Sequence, residues 1–252
     1  MNLIKDQNEF EKFLNILPEL EKDEVYFISL SARNKYLSKE ERLEYSLGQT
    51  EMFGREIAQS KEKLKDYIIR KLEATLSYKT TRNHLPIPEK SLVCYMNVNP
   101  SSMVKAYMQF QNEMNRQVSE IVMSLQKQKL PNYSFINLQT KELLNCIQKS
   151  GSRKYFIDID CDTKNEEVYQ YLFDSFIMHN IEFHTIETKG GYHFLLQKKS
   201  FPEKFDLNLI IKTSSIIAQE REVTKIEIMI NSNAMVPVPG TMQSDHLVKF
   251  RF

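Results

Sequence analysis

The chain has 252 residues, with 34 Lys and Arg against 33 Asp and Glu and a net charge of +1. That balance excludes a global attraction to nucleic acid or to acidic surfaces, so any such binding has to come from local clusters. Hydrophobic residues make up 41% and glycines number 6, enough for a buried core but too little glycine for a Gly-rich phosphate loop or a repeat array. No apolar run approaches the roughly 20 residues of a membrane span. Lys5, Asp6, Glu9, Glu11 and Lys12 stand where the apolar centre of a secretion signal would lie. The expectation is a cytoplasmic protein with no membrane partner. Cys94, Cys146 and Cys161 are widely spaced and odd in number; they predict reduced, buried thiols, not a disulfide framework or a metal cluster.

In chain order, residues 7–22 predict an amphipathic helix with Phe10, Phe13, Leu14 and Leu17 on one side. Residues 25–30 predict a strand. The stretch 31–54 mixes basic and aromatic residues, namely Arg33, Lys35, Tyr36, Arg42 and Tyr45, and Arg55 follows it. It reads either as a solvated helical face or as a surface for a nucleic-acid backbone. Ser38 predicts the cap of a helix over 38–46. A long helix is expected over 51–78 and a connector over 79–90. A strand follows at 92–98. Asn97 to Ser102 then lead into a helix ending near 129, as an anion site or simply as a helix cap. A helix is predicted over 139–149, with Gly151 as its stop.

The segment Tyr155-Phe156-Ile157-Asp158-Ile159-Asp160 predicts a strand over 154–160. Strand alternation puts Asp158 and Asp160 on one face, with Tyr155, Ile157 and Ile159 on the other. Two like charges sharing a face call for a positive group between them, and an all-oxygen pair suits Mg²⁺ or Mn²⁺. Beyond it the pattern predicts helix 164–180, strand 181–187, a turn at Lys189-Gly190-Gly191, strand 192–196, helix 203–219 and strands 223–230, 234–238 and 246–252. From 154 onward the order is β-α-β-β-α-β, a ferredoxin-like split βαβ arrangement. Alternation brings His193 to one face of its strand with Gly191 and Leu195. In 225–230 the isoleucines form the buried side, while Lys225 and Glu227 take the other. Asp158, Asp160, His193 and Glu227 thus meet on one surface, and Gly190 and Gly191 leave the backbone open to a phosphate. His179 and His184 read as structural, Asp162 as a third strand-end acid or, in preference, a turn residue, and Asp245-His246 as a metal-ligating pair or, in preference, a hairpin tip.

This order resembles the archaeo-eukaryotic primase superfamily, the primase-polymerases. The resemblance covers residues 150–252. Its motifs are Ile157-Asp158-Ile159-Asp160, then Thr188 to Phe194 with its glycines and His193, then Ile226-Glu227 followed by Asn231, then Pro239-Gly240-Thr241. Glu227 stands where Asp is commoner, and Val236 and Val238 stand where an arginine is often found. The resemblance implies metal ligation by Asp158, Asp160 and Glu227. It implies nucleotide binding by His193, with Lys189, Gly190, Gly191, Lys225 and Lys249 as further contacts. The reaction implied is attack of a 3′-hydroxyl on an α-phosphate, with Mg²⁺ or Mn²⁺, an NTP or dNTP and a nucleic-acid template or primer. A separate helicase or replication protein is an expected partner, in a bacterial, phage or plasmid setting. Two alternatives stay open: an inactive member that binds nucleic acid or nucleotide as an accessory, and a metal-dependent nuclease. The expected fold is α+β, with a helix-rich part at 1–90 and the ferredoxin-like (RRM-like) catalytic core at 91–252.

Overall fold

The computed structural model describes residues 2–74, 79, 85–131, 133, 138–203, 205–221, 228–231 and 235–251. In chain order they form α1 (Gln7–Ile16), β1 (Glu24–Arg33), α2 (Lys39–Tyr45), β2 (Thr50–Ala58), α3 (Lys61–Lys63), a π turn (Leu64–Ile68), α4 (Ile69–Ala74), β3 (Leu92–Asn97), β4 (Ser101–Ser102), α5 (Met103–Gln126) and α6 (Gln139–Lys149). Then come β5 (Phe156–Cys161), α7 (Glu166–Met178), β6 (Phe183–Glu187), β7 (Tyr192–Gln197), α8 (Leu207–Arg221), β8 (Ile228–Asn231), β9 (Met235–Pro237), β10 (Met242–Gln243), β11 (His246–Leu247) and β12 (Lys249–Arg251). The fold is mixed α+β and its strand pairs are antiparallel. Among the described residues no helix is long and apolar enough to cross a membrane.

Among the described residues two five-stranded sheets organise the fold, with the small β10–β11 pair beside them. The first has the order β2-β1-β3-β9, with β4 on the start of β1; the second has the order β12-β6-β7-β5-β8. A division at residue 90 falls inside the first sheet, between β1–β2 and the β3 strand that pairs with β1. The part before it is not simply helical, because two of that sheet's long strands lie there. Of the expected helix over 51–78, residues 61–74 are helical and 75–78 lie outside the described residues, while the first part is corrected: residues 50–58 pair with β1 from Tyr26↔Ala58 to Arg33↔Thr50. Gly54 weakens a helix at that point, and a register shift between Leu30 and Ser31 lets the strand continue past it. Tertiary pairing outweighs local propensity here. The first helix also stops at Ile16, short of 22, because Pro18 holds Leu17 extended (ψ 141°). The Ser38 cap is present as a full capping box.

Among the described residues three apolar clusters fill the interior. One joins α1 (Phe10, Phe13, Leu14) and β1 (Tyr26, Ile28, Leu30) to Phe156, Ile186, Leu195 and Phe250 of the second sheet. A second packs Ile159, Cys161, Tyr192, Phe194 and Leu196 beneath α7 and α8. A third packs Val25 and Phe27 against α5 and α6. The second sheet therefore has a helix-covered face and a face turned to the first sheet's core. Cys94, Cys146 and Cys161 are free and buried.

Polar ties fix β5 against the first sheet. Asn99 Oδ1 accepts the N–H groups of Tyr155 and Phe156 at 2.9 and 2.8 Å, and its Nδ2 donates to Phe156 O at 2.9 Å. Arg153 grips the buried Glu24 carboxylate through Nε (2.8 Å) and Nη2 (2.7 Å). At the 97–102 corner the capping alternative holds: Ser102 Oγ accepts from Lys105 N and donates to Asp23 Oδ2. Pro239-Gly240-Thr241 anchors the chain start. Gly240 O accepts from Lys5 N and Asp6 N, and at φ +85° a Cβ on Gly240 would stand 2.4 Å from Asp6 O.

Candidate functional site

Strand β5 carries the site because its two faces have opposite demands. Ile157 and Ile159 pack into the helix-covered cluster, while Phe156, Asp158 and Asp160 take the other face. Tyr155 precedes the strand and packs with the first cluster, so it does not share the isoleucines' side as expected. The pairings Asp160↔His193 and Asp158↔Leu195 bring β7 alongside in register. Across β5 on the other side, Asp158 is opposite Asn231 and Asp160 is opposite Met229.

The aspartate pair and His193 meet as expected. His193 Nδ1 lies 3.1 Å from Asp158 Oδ1 and 3.2 Å from Oδ2, and its Nε2 lies 3.6 Å from Asp160 Oδ1. Asp158 is 1% exposed and His193 is 7% exposed. Burial pulls the His193 pKa down, but the Asp158 and Asp160 charges and the Asp158 hydrogen bond outweigh it and raise the pKa to about 9. The positive group between the two carboxylates is thus an imidazolium. Asp160 is pushed above the ordinary carboxylate range, first by burial and then by the charges of Asp158 and Asp162, against the pull of His193. Asp162, exposed just beyond the strand end, adds its charge to this cluster, which favours the strand-end acid of the two alternatives. Among the described residues no group of three or more His, Cys, Asp or Glu is arranged to hold a metal ion.

A pH dependence follows from His193. Its folded pKa of about 9 lies above the ordinary 6.5, so its contribution to stability is complete below about 6.5 and is lost as pH rises through 9. With EDTA present to remove divalent ions, urea denaturation is expected to give a lower unfolding free energy at pH 9.5 than at pH 6.5, by a loss on the order of 3 kcal/mol at most. His193→Gln should flatten that slope, and an unchanged slope would rule out the imidazolium.

The remaining predicted residues divide. Gly191 approaches backbone, but its own chain's: a Cβ there would lie 1.9 Å from Cys161 O and 2.7 Å from Thr163 N. The expected role of Gly191 in admitting a phosphate is corrected to close packing of the turn on the end of β5. At Gly190 a Cβ would meet only Asp162 Oδ1, at 3.3 Å. Lys189 donates from Nζ to Ser244 Oγ (3.0 Å) and pairs with Asp245 at the β10–β11 tip. Lys249 does not join the site. The pairings Lys249↔Glu187↔Tyr192↔Cys161 put it on the helix-covered face, where its Nζ is 3.9 Å from Glu187 Oε2. Lys225 and Glu227 lie outside the described residues. On β8, Ile228 is buried while Ile230 is 41% exposed, so the expected buried isoleucine row is broken. An edge strand leaves that position open to solvent. His184 packs edge-on to Phe156 and Phe250, and His179 Nδ1 contacts Ser175 O, both structural roles as expected.

The site also has members that sequence reasoning missed. Tyr95 on β3 and Gln243 on β10 stand beside it: Tyr95 feels the charge of Asp160, and Gln243 Oε1 accepts Lys189 N–H at 2.7 Å. No sequence signal marks either, since both reach the site through pairings between distant segments. No family model, no curated protein and no solved structure matches this chain.

Proposed function

We propose that this protein is a metal-dependent nucleotidyltransferase of the primase-polymerase kind, joining NTPs or dNTPs on a nucleic-acid template. The observation that carries the reading is the set Asp158, Asp160 and His193, on adjacent paired strands and one sheet face. The order β5-α7-β6-β7-α8-β8 with the neighbours β8-β5-β7-β6 supports a ferredoxin-like split βαβ core around them. Asp158 and Asp160 are oxygen donors of the kind a hard divalent cation takes, short of a full protein set among the described residues. Asp158, Asp160 and Asp162 bring three carboxylate charges to bear on one imidazolium, and burial first, then the charges of Asp158 and Asp162, raise Asp160. Asp158 and Asp160 would hold Mg²⁺ or Mn²⁺. When bound, such an ion stabilises charge on a phosphate oxygen and on the attacking hydroxyl. The chain's own part is positioning. The His193 imidazolium presents positive charge to a phosphate at the site, and the closed turn at Gly191 fixes His193 relative to Asp160.

Template-dependent incorporation of labelled NTPs and dNTPs, with Mg²⁺ and Mn²⁺ in parallel, tests this. Asp160→Asn is expected to reduce incorporation at least roughly 100-fold while the far-ultraviolet circular dichroism stays unchanged. Wild-type incorporation by that variant would sink the mechanism. A second reading is favoured by one contact: both Asp158 oxygens already face His193 Nδ1. If that pair stays closed, the protein binds nucleotide or nucleic acid as an accessory without chemistry. Binding with no metal-dependent incorporation would select that reading.

A further inference from the structure

The first sheet ends beside the acid face in a corner of cations and phenols to which the proposal above gives no role. Arg33 closes β1 and donates from Nη1 to Tyr95 Oη at 2.8 Å. Tyr36 follows in the next turn, and two ammonium groups flank its ring: Lys35 Nζ at 5.4 Å and Lys189 Nζ at 5.5 Å from the centroid. Lys189 sits in the turn that leads into β7 and His193, so this corner and the acid site share one loop. Asp160 feels the charge of Lys35, and Tyr36 feels that of Asp162.

Two features distinguish the corner from an ordinary solvated surface. Arg33 Nε is shut off from solvent with no hydrogen-bond partner, and Tyr36 Oη, equally enclosed, has only the Gln243 side chain beside it. Leaving a buried guanidinium N–H unpaired is costly, and an anionic ligand accepting from it would remove that cost. Among the described residues neither Arg33 nor Lys35 has a carboxylate at ion-pair distance, although the acid cluster is close enough to be felt. Cations on one wall and carboxylates on the other suit a ligand that is anionic along its length and reaches a divalent ion at one end.

We infer that Arg33, Lys35 and Tyr36 form the polyphosphate-holding wall of this site, receiving the β- and γ-phosphates of a nucleoside triphosphate whose reacting end lies at Asp158, Asp160 and His193. Its assignment to a nucleotide rests on the nucleotidyltransferase reading; its affinity for polyphosphate does not. The 1–90 segment then supplies part of the substrate site.

Titration calorimetry with inorganic tripolyphosphate, in buffer free of divalent metal, tests the wall. Arg33→Gln is expected to weaken binding roughly tenfold, and Lys35→Gln and Tyr36→Phe about threefold each, with Lys129→Gln as an unaffected control. Lys35 is exposed and Tyr36→Phe keeps the ring, so these two variants carry the test if Arg33→Gln fails to fold. Absence of tripolyphosphate binding by the wild type, or wild-type affinity in both Lys35→Gln and Tyr36→Phe, overturns the inference. The incorporation assay separates it from the proposed function. An active wild type whose nucleotide KM is unmoved by these variants refutes the wall alone. Weakened tripolyphosphate binding in the variants of an inactive wild type upholds the wall and refutes the nucleotidyltransferase.

Discussion

His193→Ala is expected to cost roughly 3–5 kcal/mol of unfolding free energy at pH 7, the usual loss when one partner leaves a buried ion pair. Asp158 is 1% exposed and directs both carboxylate oxygens at His193 Nδ1, so removal of the ring strands a charge that water cannot reach. The cost falls on the carboxylate left behind more than on the lost contact. The double variant Asp158→Asn with His193→Ala tests this, because a neutral amide no longer needs the imidazolium. Its loss should fall short of the sum of the two single losses by at least about 1 kcal/mol. Urea denaturation of the four proteins gives the cycle directly. A single His193→Ala loss under 1 kcal/mol would mean that Asp158 is not a buried anion balanced by His193.

Gly191→Ala is the second large effect, with an expected loss of about 3 kcal/mol or more. The new methyl would lie 1.9 Å from Cys161 O, 2.7 Å from Thr163 N and 2.9 Å from Thr163 O, all main-chain atoms. No rotamer change relieves a clash with main chain, so the turn has to move off the end of β5 and break the Cys161↔Tyr192 pairing. Gly190→Ala next to it meets only the free-swinging Asp162 Oδ1 at 3.3 Å and should change stability by less than about 0.5 kcal/mol. At roughly 2–4 °C per kcal/mol for a chain this long, the two variants should melt at least about 5 °C apart. Equal melting temperatures would refute the close-packing role of Gly191.

The sequence was most readable where one local rule acts alone. Alternation along Phe156 to Cys161 was enough to put Asp158 and Asp160 together, and the glycines before Tyr192 were enough to mark the turn that brings His193 beside them. Ser38 announced its helix, because a capping box is a contact over three residues. Where pairing partners are distant, the local pattern misled. The run 50–58 has residues that suit a helix, yet β1 claims it as a strand. Lys249 looked like one more cation near an anionic ligand, but its side of the sheet is set by the register of β12 on β6, which nothing near residue 249 encodes. Tyr95 and Gln243 were invisible for the same reason. Arg33, Lys35 and Tyr36 were visible as a basic-aromatic cluster, though not as neighbours of the acids.

The route of β9 bears on how the chain reaches its native state. Met235–Pro237 pairs with Leu92–Asn97's strand from Tyr95↔Pro237 to Asn97↔Met235, and between those partners lies the whole of the second sheet except β12. The first sheet therefore cannot finish until residues 235–237 are available. Contacts so far apart in sequence raise contact order, and closing so long a loop is entropically expensive before any pairing rewards it. Folding should be slow and should close both sheets in one cooperative step, with neither sheet a separable folding unit. During synthesis β3 waits with an unpaired edge, and its residues Tyr95-Met96-Asn97 would be open to mispairing until β9 emerges.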